Sequence, residues 1–466
     1  MVTKRRKNQV RFRSTVFGEY MMDQYFFKVA THERKLVKLE DLDLRKLQHD
    51  HIVTIAHEYL HHLHEVSTHI GTFFLSYAVS IRAILSRYAD KDLSTSDFNF
   101  SNISLEDATM ILRLSETINL LIGDAALETE VKNILDYDVV ESTIFVPYGT
   151  TLVEREHGTP ELRIANGNEI LTLQFGKFYL YEGLAYELER VFAQTIGRKH
   201  DDEENGTEYT VLRYFSMHIV PSITRKTMLT LASLSLAYVN CGVMYVSMLE
   251  RLAIELREGR SEADLIRMVK ANVSQEYSER EHILEGVLKE IEDAFKWRSS
   301  LKIALADLKE NYINATRQRV INPSFEVDMI YNGQFEDLLY LVPPCDFMYV
   351  FTNKATFKRD FYGTTKTSAE LAINHNIFIA NVHYANTLFF KLSGEFDKFK
   401  PGDNELTCPF FTSCDFQFRK DNPSICSGSP WKIYDIAYAE GNGYCWYGNG
   451  VGLLKGIDIP PDDQLE

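Results

Sequence analysis

The stretch DHIVTIAHEYLHHLHEVSTHI, residues 50–70, decides how this chain is read. Ile52, Ile55, Tyr59, Leu63, Val66 and Ile70 recur every three or four residues, which is the period of one helix face. Asp50 stands where a helix cap is needed, and Gly71 where the helix would stop. His57, His61 and His64 fall on the opposite side. The helix therefore packs by one face and presents histidines from the other, toward a cleft or toward water. Within it, residues 57–61 read His-Glu-Tyr-Leu-His. Histidines at i and i+4 sit one turn apart on the same face, so both imidazoles can reach one metal ion at about 2.0–2.1 Å. Glu58 lies beside them, placed to take a proton from a metal-bound water.

Outward from this helix the chain changes character several times. Residues 10–30 hold β-type runs, VRFRSTVF and YFFKV. Before them Lys4, Arg5, Arg6, Lys7, Arg11 and Arg13 make a basic start, read as a solvated terminus; no apolar run follows as a secretory signal would require. Helices are expected across 72–90 and 105–135. Residues 141–175 turn β-like, with turns expected at Gly158-Thr159-Pro160 and Asn166-Gly167-Asn168. Helix returns at about 177–197, an acidic loop follows at 199–208, and 211–320 is mostly helical up to a break at Asn322-Pro323. Beyond about 335 the Gly, Pro and aromatic content rises.

Composition bounds the possibilities. The chain has 466 residues, 45% hydrophobic and 25% charged, which is ordinary globular usage and room for two or three domains. Its net charge of −16 repels phosphate backbones, so no nucleic-acid partner is expected. Six cysteines are too few for a disulfide-built secreted protein. Residues 227–249 carry no charge and are long enough to span a bilayer. Thr230, Ser233, Ser235, Asn240 and Ser247 within them favour a buried core helix, and no membrane partner is expected.

The motif helix resembles that of the zincin metallopeptidases. Thr54-Ile55-Ala56 before the motif and Leu63 after it are uncharged, as that family's longer motif wants; His62 fits only when neutral. The metzincin branch would need Gly at 64 and His at 67, where this chain has His64 and Ser67. The gluzincin branch takes its third ligand from a later helix, and Glu182-Gly183-Leu184-Ala185 looks like that element. The resemblance implies His57, His61 and Glu182 as zinc ligands and Glu58 as general base. Gly183 and Ala185 would let the two helices approach closely. Two departures stand out: a long gap between His61 and Glu182, and Tyr186 where the family has an acidic residue one turn after the ligand. Glu187 or Glu189 could orient a histidine instead. Asp124, Glu128 and Glu130 are alternative third ligands. A second donor to the reacting oxygen could be Tyr186, His218, His383 or Tyr384.

Two rival readings come from other classes. Glu58-x-x-His61 is also the element of di-iron carboxylate bundles. Glu279-x-x-His282 is a second copy, and Glu128 and Glu182 are spare carboxylates, which together would make an oxidoreductase. A helical binding protein without catalysis is the other. In the C-terminal region Cys408, Cys414, Cys426 and Cys445 offer four thiolates, enough for a closed zinc site or an iron–sulfur cluster, yet they form no C-x-x-C knuckle. Cys241 and Cys345 read as lone core residues. Gly448, Gly450 and Gly452 lack the strand–helix frame of a dinucleotide loop and read as a turn.

The sequence thus leads us to expect a mainly α protein with a smaller β region (α+β). Residues 1–210 would form a zincin-like catalytic region, 211–335 a helical region and 336–466 a Cys-containing region. The expected activity is that of a cytoplasmic, zinc-dependent metallopeptidase acting on a peptide or protein substrate.

Overall fold

A computed structural model describes residues 18–21, 26–31, 49–88, 103–124, 131, 133–148, 151–166, 169–197, 206–295, 301–342, 346–352, 359–364, 369–392, 406–411, 414, 416–440 and 445–456. Among them the chain is mostly helical with two small sheets, an α+β arrangement. The basic residues 4–13, Glu128, Glu130 and Cys345 lie outside the described residues.

Helix α1 (His49–Ser67) is the expected motif helix. Ile52, Ile55, Tyr59, Leu63 and Val66 are all buried, as the periodicity required. The histidine face is buried too: His62, His64 and Glu65 are covered almost completely. Helix α1 is thus an interior helix. It packs on β1 (Gly18–Met21), β2 (Phe26–Thr31), α2 (His69–Tyr88), α4 (Lys177–Thr195) and α10 (Lys302–Ile321), with α3 (Leu105–Ile122) beyond α2. Tyr59 donates its hydroxyl to the carbonyls of Leu338 (2.7 Å) and Val342 (2.8 Å). Those oxygens belong to the end of α12 (Phe335–Leu341), where helix carbonyls lack intrahelical partners.

Helix α3 stops at Gly123, φ 85°, a left-handed conformation that glycine adopts readily, well short of residue 135, and β3 (Ile134–Tyr148) follows. β3, β4 (Thr151–Asn166) and β5 (Glu169–Gln174) form an antiparallel sheet in that order. Gly158-Thr159-Pro160 is not a turn; it runs through β4, paired with Glu141, Val140 and Val139. Pro160 is tolerated because β5 pairs only with residues 161–166, so no strand needs its missing N–H on that side. Gly158 lets β3 and a neighbouring helix close in: a Cβ there would lie 2.8 Å from the Val139 side chain and 3.1 Å from Val243.

The helical stretch resolves into α5 (Thr207–Ile219), α6 (Arg225–Ser235), α7 (Cys241–Arg257), α8 (Glu262–Glu279), α9 (Glu281–Phe295), α10 and, after the break at Asn322-Pro323, α11 (Phe325–Tyr331). The uncharged run 227–249 is split between α6 and α7, and its apolar residues are core. Helix α2 is long and apolar enough to cross a membrane by length and composition; here Leu75, Ile81, Ile84 and Leu85 are buried in protein.

The C-terminal third adds β6 (Asp346–Thr352), β7 (Arg359–Thr364), α13 (Ala369–Leu392), α14 (Gln417–Asp421), α15 (Pro423–Gly428), α16 (Ile433–Glu440) and α17 (Trp446–Leu454). Strand β6 pairs in parallel with β2, giving a mixed sheet β1-β2-β6-β7. Gly448, Gly450 and Gly452 are not a turn but part of α17. Gly450 serves packing: a Cβ on it would meet Ala380 Cβ and Asn381 N of α13 at 2.7 Å, and Asn381 Nδ2 donates to the Gly450 carbonyl at 2.7 Å. Two hydrophobic cores result. One is built on α1 and α4–α12, drawing on both the 1–210 and 211–335 stretches; the other lies among α2, α3 and α13–α17.

Candidate metal centre

Helices α1 and α4 lie side by side and antiparallel. Their polar residues meet in register, 65 with 177, 61 with 182 and 57 with 189. At one end Lys177 Nζ donates to Glu65 Oε2 at 2.7 Å, with both side chains buried. One turn on, Glu182 Oε2 stands 3.5 Å from His61 Nε2 and 3.4 Å from His57 Nε2. The two Nε2 atoms are 3.0 Å apart. At the other end His57 Nδ1–H donates to Glu189 Oε2 at 2.9 Å.

The three donor atoms therefore mark a triangle with sides of 3.0, 3.4 and 3.5 Å. Ligands on a tetrahedral ion at bonds of about 2.0–2.1 Å are separated by about 3.3 Å, so the triangle fits one such ion. Among the described residues, His57, His61 and Glu182 are the only three His, Cys, Asp or Glu side chains whose ligand atoms lie within 4.8 Å of one another. The Glu182 side chain stays 22% exposed while those of His57 and His61 are 11% and 8% exposed. Glu58, next to His57 in sequence, is buried.

The electrostatics follow from burial and neighbours. Burial lowers the His57 pKa, but Glu189 and Glu182 outweigh it and hold that imidazole well above its ordinary value. For His61 burial wins over Glu182, and the pKa is lowered. Burial works against the Glu182 charge, yet His61 and His57 hold its carboxyl well below the usual range. A carboxylate that stays ionised beside two imidazoles is the charge state a cation site needs.

Of the residues singled out in the sequence, the structure brings together His57, His61, Glu182 and Glu189. Glu187 is not at the site; it is fully buried against Arg225, at 2.6 Å, on another face of α4. Gly183 does not face α1 either. A Cβ there would lie 2.5 Å from Leu212 Cβ, so this glycine lets α5 approach α4. Asp124 is used by the backbone, its Oδ2 accepting from Gln174 N at 2.7 Å. Glu279 is exposed and ends α8, and exposed His282 belongs to α9; the helix break between them removes the second half of a di-iron motif. His218 rings with Tyr137, while His383 bonds Tyr447 and Tyr384 lies in the second core. Tyr186 does lie nearby, its ring 5.0 Å from that of Tyr209, which in turn meets His57 edge-on at 5.8 Å. Tyr209, on the next helix α5, was not singled out in the sequence because no motif surrounds it.

The chain matches no family model, no curated protein and no solved structure. The site is therefore read from its own geometry.

Glu189 accepts from His57 Nδ1, so a metal ion that displaced the Nε2 proton would find that nitrogen's lone pair turned toward Glu182 and His61. Glu189→Gln should weaken metal binding about 10–100-fold, the usual cost of losing such an orienting carboxylate. Competition titration against a zinc indicator measures this. An unchanged affinity would show that Glu189 does not orient His57.

Proposed function

We propose that this chain is a zinc-dependent hydrolase, with peptides or proteins as its substrates. The observation that carries the reading is the triangle of His57 Nε2, His61 Nε2 and Glu182 Oε2, with Glu58 one residue along the same helix. Two neutral imidazoles and one carboxylate are the ligand set of catalytic zinc, which leaves one position open. When bound there, zinc supplies a Lewis acid and brings the pKa of a coordinated water to about 7. His57 and His61 would hold the ion through Nε2, with Glu189 keeping His57 Nδ1 as the donor. Glu58 takes the proton of the attacking water and returns it to the leaving amine. Its burial keeps bulk water from competing for that proton. The peptidase assignment rests on the resemblance of residues 57–61 and 182–185 to the zincins, gluzincin type; the hydrolase assignment rests on the ligand set.

Metal analysis of the purified full-length chain tests the reading. One zinc per chain is expected at this site, with peptide cleavage that stops on chelation and returns on adding zinc. Cleavage that survives complete removal of the metal, or a metal-loaded chain that hydrolyses no amide or ester in a broad substrate panel, would sink it.

A further inference from the structure

The C-terminal cysteines are far apart in sequence, with five, eleven and eighteen residues between them, yet they come together in space. Cys408, Cys414, Cys426 and Cys445 all line one cavity, with Phe411, Phe416, Tyr447 and Arg419 around them. None is in a disulfide. Each thiol interacts electrostatically with the other three. Every sulfur comes from a different place in the fold: the turn at 406–411, the chain just after it, α15, and the N-cap of α17.

Backbone N–H groups are aimed at two of these sulfurs. Gly448 N–H donates to Cys445 Sγ at 3.4 Å, and the Phe410 N–H is directed at Cys408 Sγ. A neutral thiol is a weak acceptor, whereas a metal-bound thiolate uses such donors to spread its charge. Arg419 Nε, on the wall of the same cavity, has no hydrogen-bond partner among the described residues. Its cation suits a cavity that holds negative charge.

The spacing chooses between two kinds of centre. A single zinc with Zn–S bonds near 2.3 Å would hold its sulfurs about 3.8 Å apart. No three of these thiols fall within 4.8 Å of one another; among the described residues only the His57 group does. No pair sits in a C-x-x-C knuckle, the local device that brings two sulfurs onto one ion. A cubane cluster instead takes one thiolate at each of four irons and holds them further apart around its own inorganic core. We propose that Cys408, Cys414, Cys426 and Cys445 ligate an iron–sulfur cluster that ties the loop-rich C-terminal elements to α17. This centre is separate from the His57 site and does not depend on the hydrolase reading.

The test is full-length protein produced with iron and cysteine available and purified without oxygen. About four irons and four acid-labile sulfides per chain are expected, with a broad visible charge-transfer absorption. Labile sulfide excludes iron held at His57 and His61. Cys426→Ser and Cys445→Ser should each lose most of the iron, sulfide and colour, while Cys241→Ser, a core cysteine elsewhere, should keep them. Metal at the His57 site should persist in all three variants. The wild-type assay decides the matter even where a variant fails to fold. One zinc per chain protected by these thiols would overturn the cluster, as would iron without sulfide, two disulfides, or four thiols that react with no metal released.

Discussion

Glu58→Gln should keep its zinc and lose its hydrolysis. The amide has the shape of the carboxylate but cannot accept the proton of the attacking water. General-base catalysis contributes roughly 10²–10⁴-fold, so cleavage should fall by about that factor. Zinc content should not change, because the atoms proposed to hold it are His57 Nε2, His61 Nε2 and Glu182 Oε2, and none belongs to Glu58. His61→Ala gives the opposite signature. Two remaining ligands hold zinc poorly, so metal and activity vanish together. The fold should persist, since Tyr59, Leu63 and Val66 still anchor α1. Zinc analysis beside peptide cleavage on both variants separates base from ligand. A Glu58→Gln protein that cleaves like wild type would remove Glu58 from the mechanism. One that loses its metal would make Glu58 a ligand and revive a carboxylate-bridged iron centre.

The parts of this site that were legible in the sequence are those written within one helix. The positions of His57, Glu58 and His61 follow from the helical period alone. The side of α4 carrying Glu182 and Glu189 follows from the spacing of Leu184, Leu188 and Val191 around them. Glu187 and Glu189 lie on different faces of α4, and which of those faces meets His57 is decided by the packing of α1. The fold shows the same limit. Helices and the β3–β5 region could be read from local period, whereas the parallel pairing of β2 with β6 joins residues more than 300 positions apart and leaves no local trace. Glycines misled twice in the same way. At Gly158 and Gly450 the residue suggested a turn, but what it provides is close approach between neighbouring elements.

Arg319→Met should cost about 3–5 kcal/mol of stability, the range expected when one partner of a buried ion pair is removed. Arg319 is fully buried, and its Nη1 lies 2.7 Å from Glu326 Oε2, itself fully buried. The same guanidinium donates to Ser67 Oγ at the end of α1 (3.1 and 3.0 Å), to Ser233 Oγ (2.9 Å) and to the Pro323 carbonyl (2.7 Å). Glu326 completes the set by accepting from Ser233 Oγ at 2.6 Å and standing 3.5 Å from His64 Nε2 on α1. Burial raises the Glu326 pKa, but Arg319 and His64 more than offset it and hold the carboxyl down to about 2. Without the guanidinium, Glu326 must either stay charged in a dry interior or take up a proton there. Replacing both partners, Arg319→Met with Glu326→Leu, removes the stranded charge, so the double variant should be more stable than Arg319→Met alone. Urea unfolding midpoints of the wild type, both single variants and the double variant give the coupling between the two sites. Equal destabilisation in Arg319→Met and in the double variant would mean that the lost packing of Arg319, not the unpaired carboxylate, sets the cost. The network meets α1 at His64 and Ser67, within two turns of His61, so its integrity also keeps that helix seated against α4, where His57, His61 and Glu182 converge.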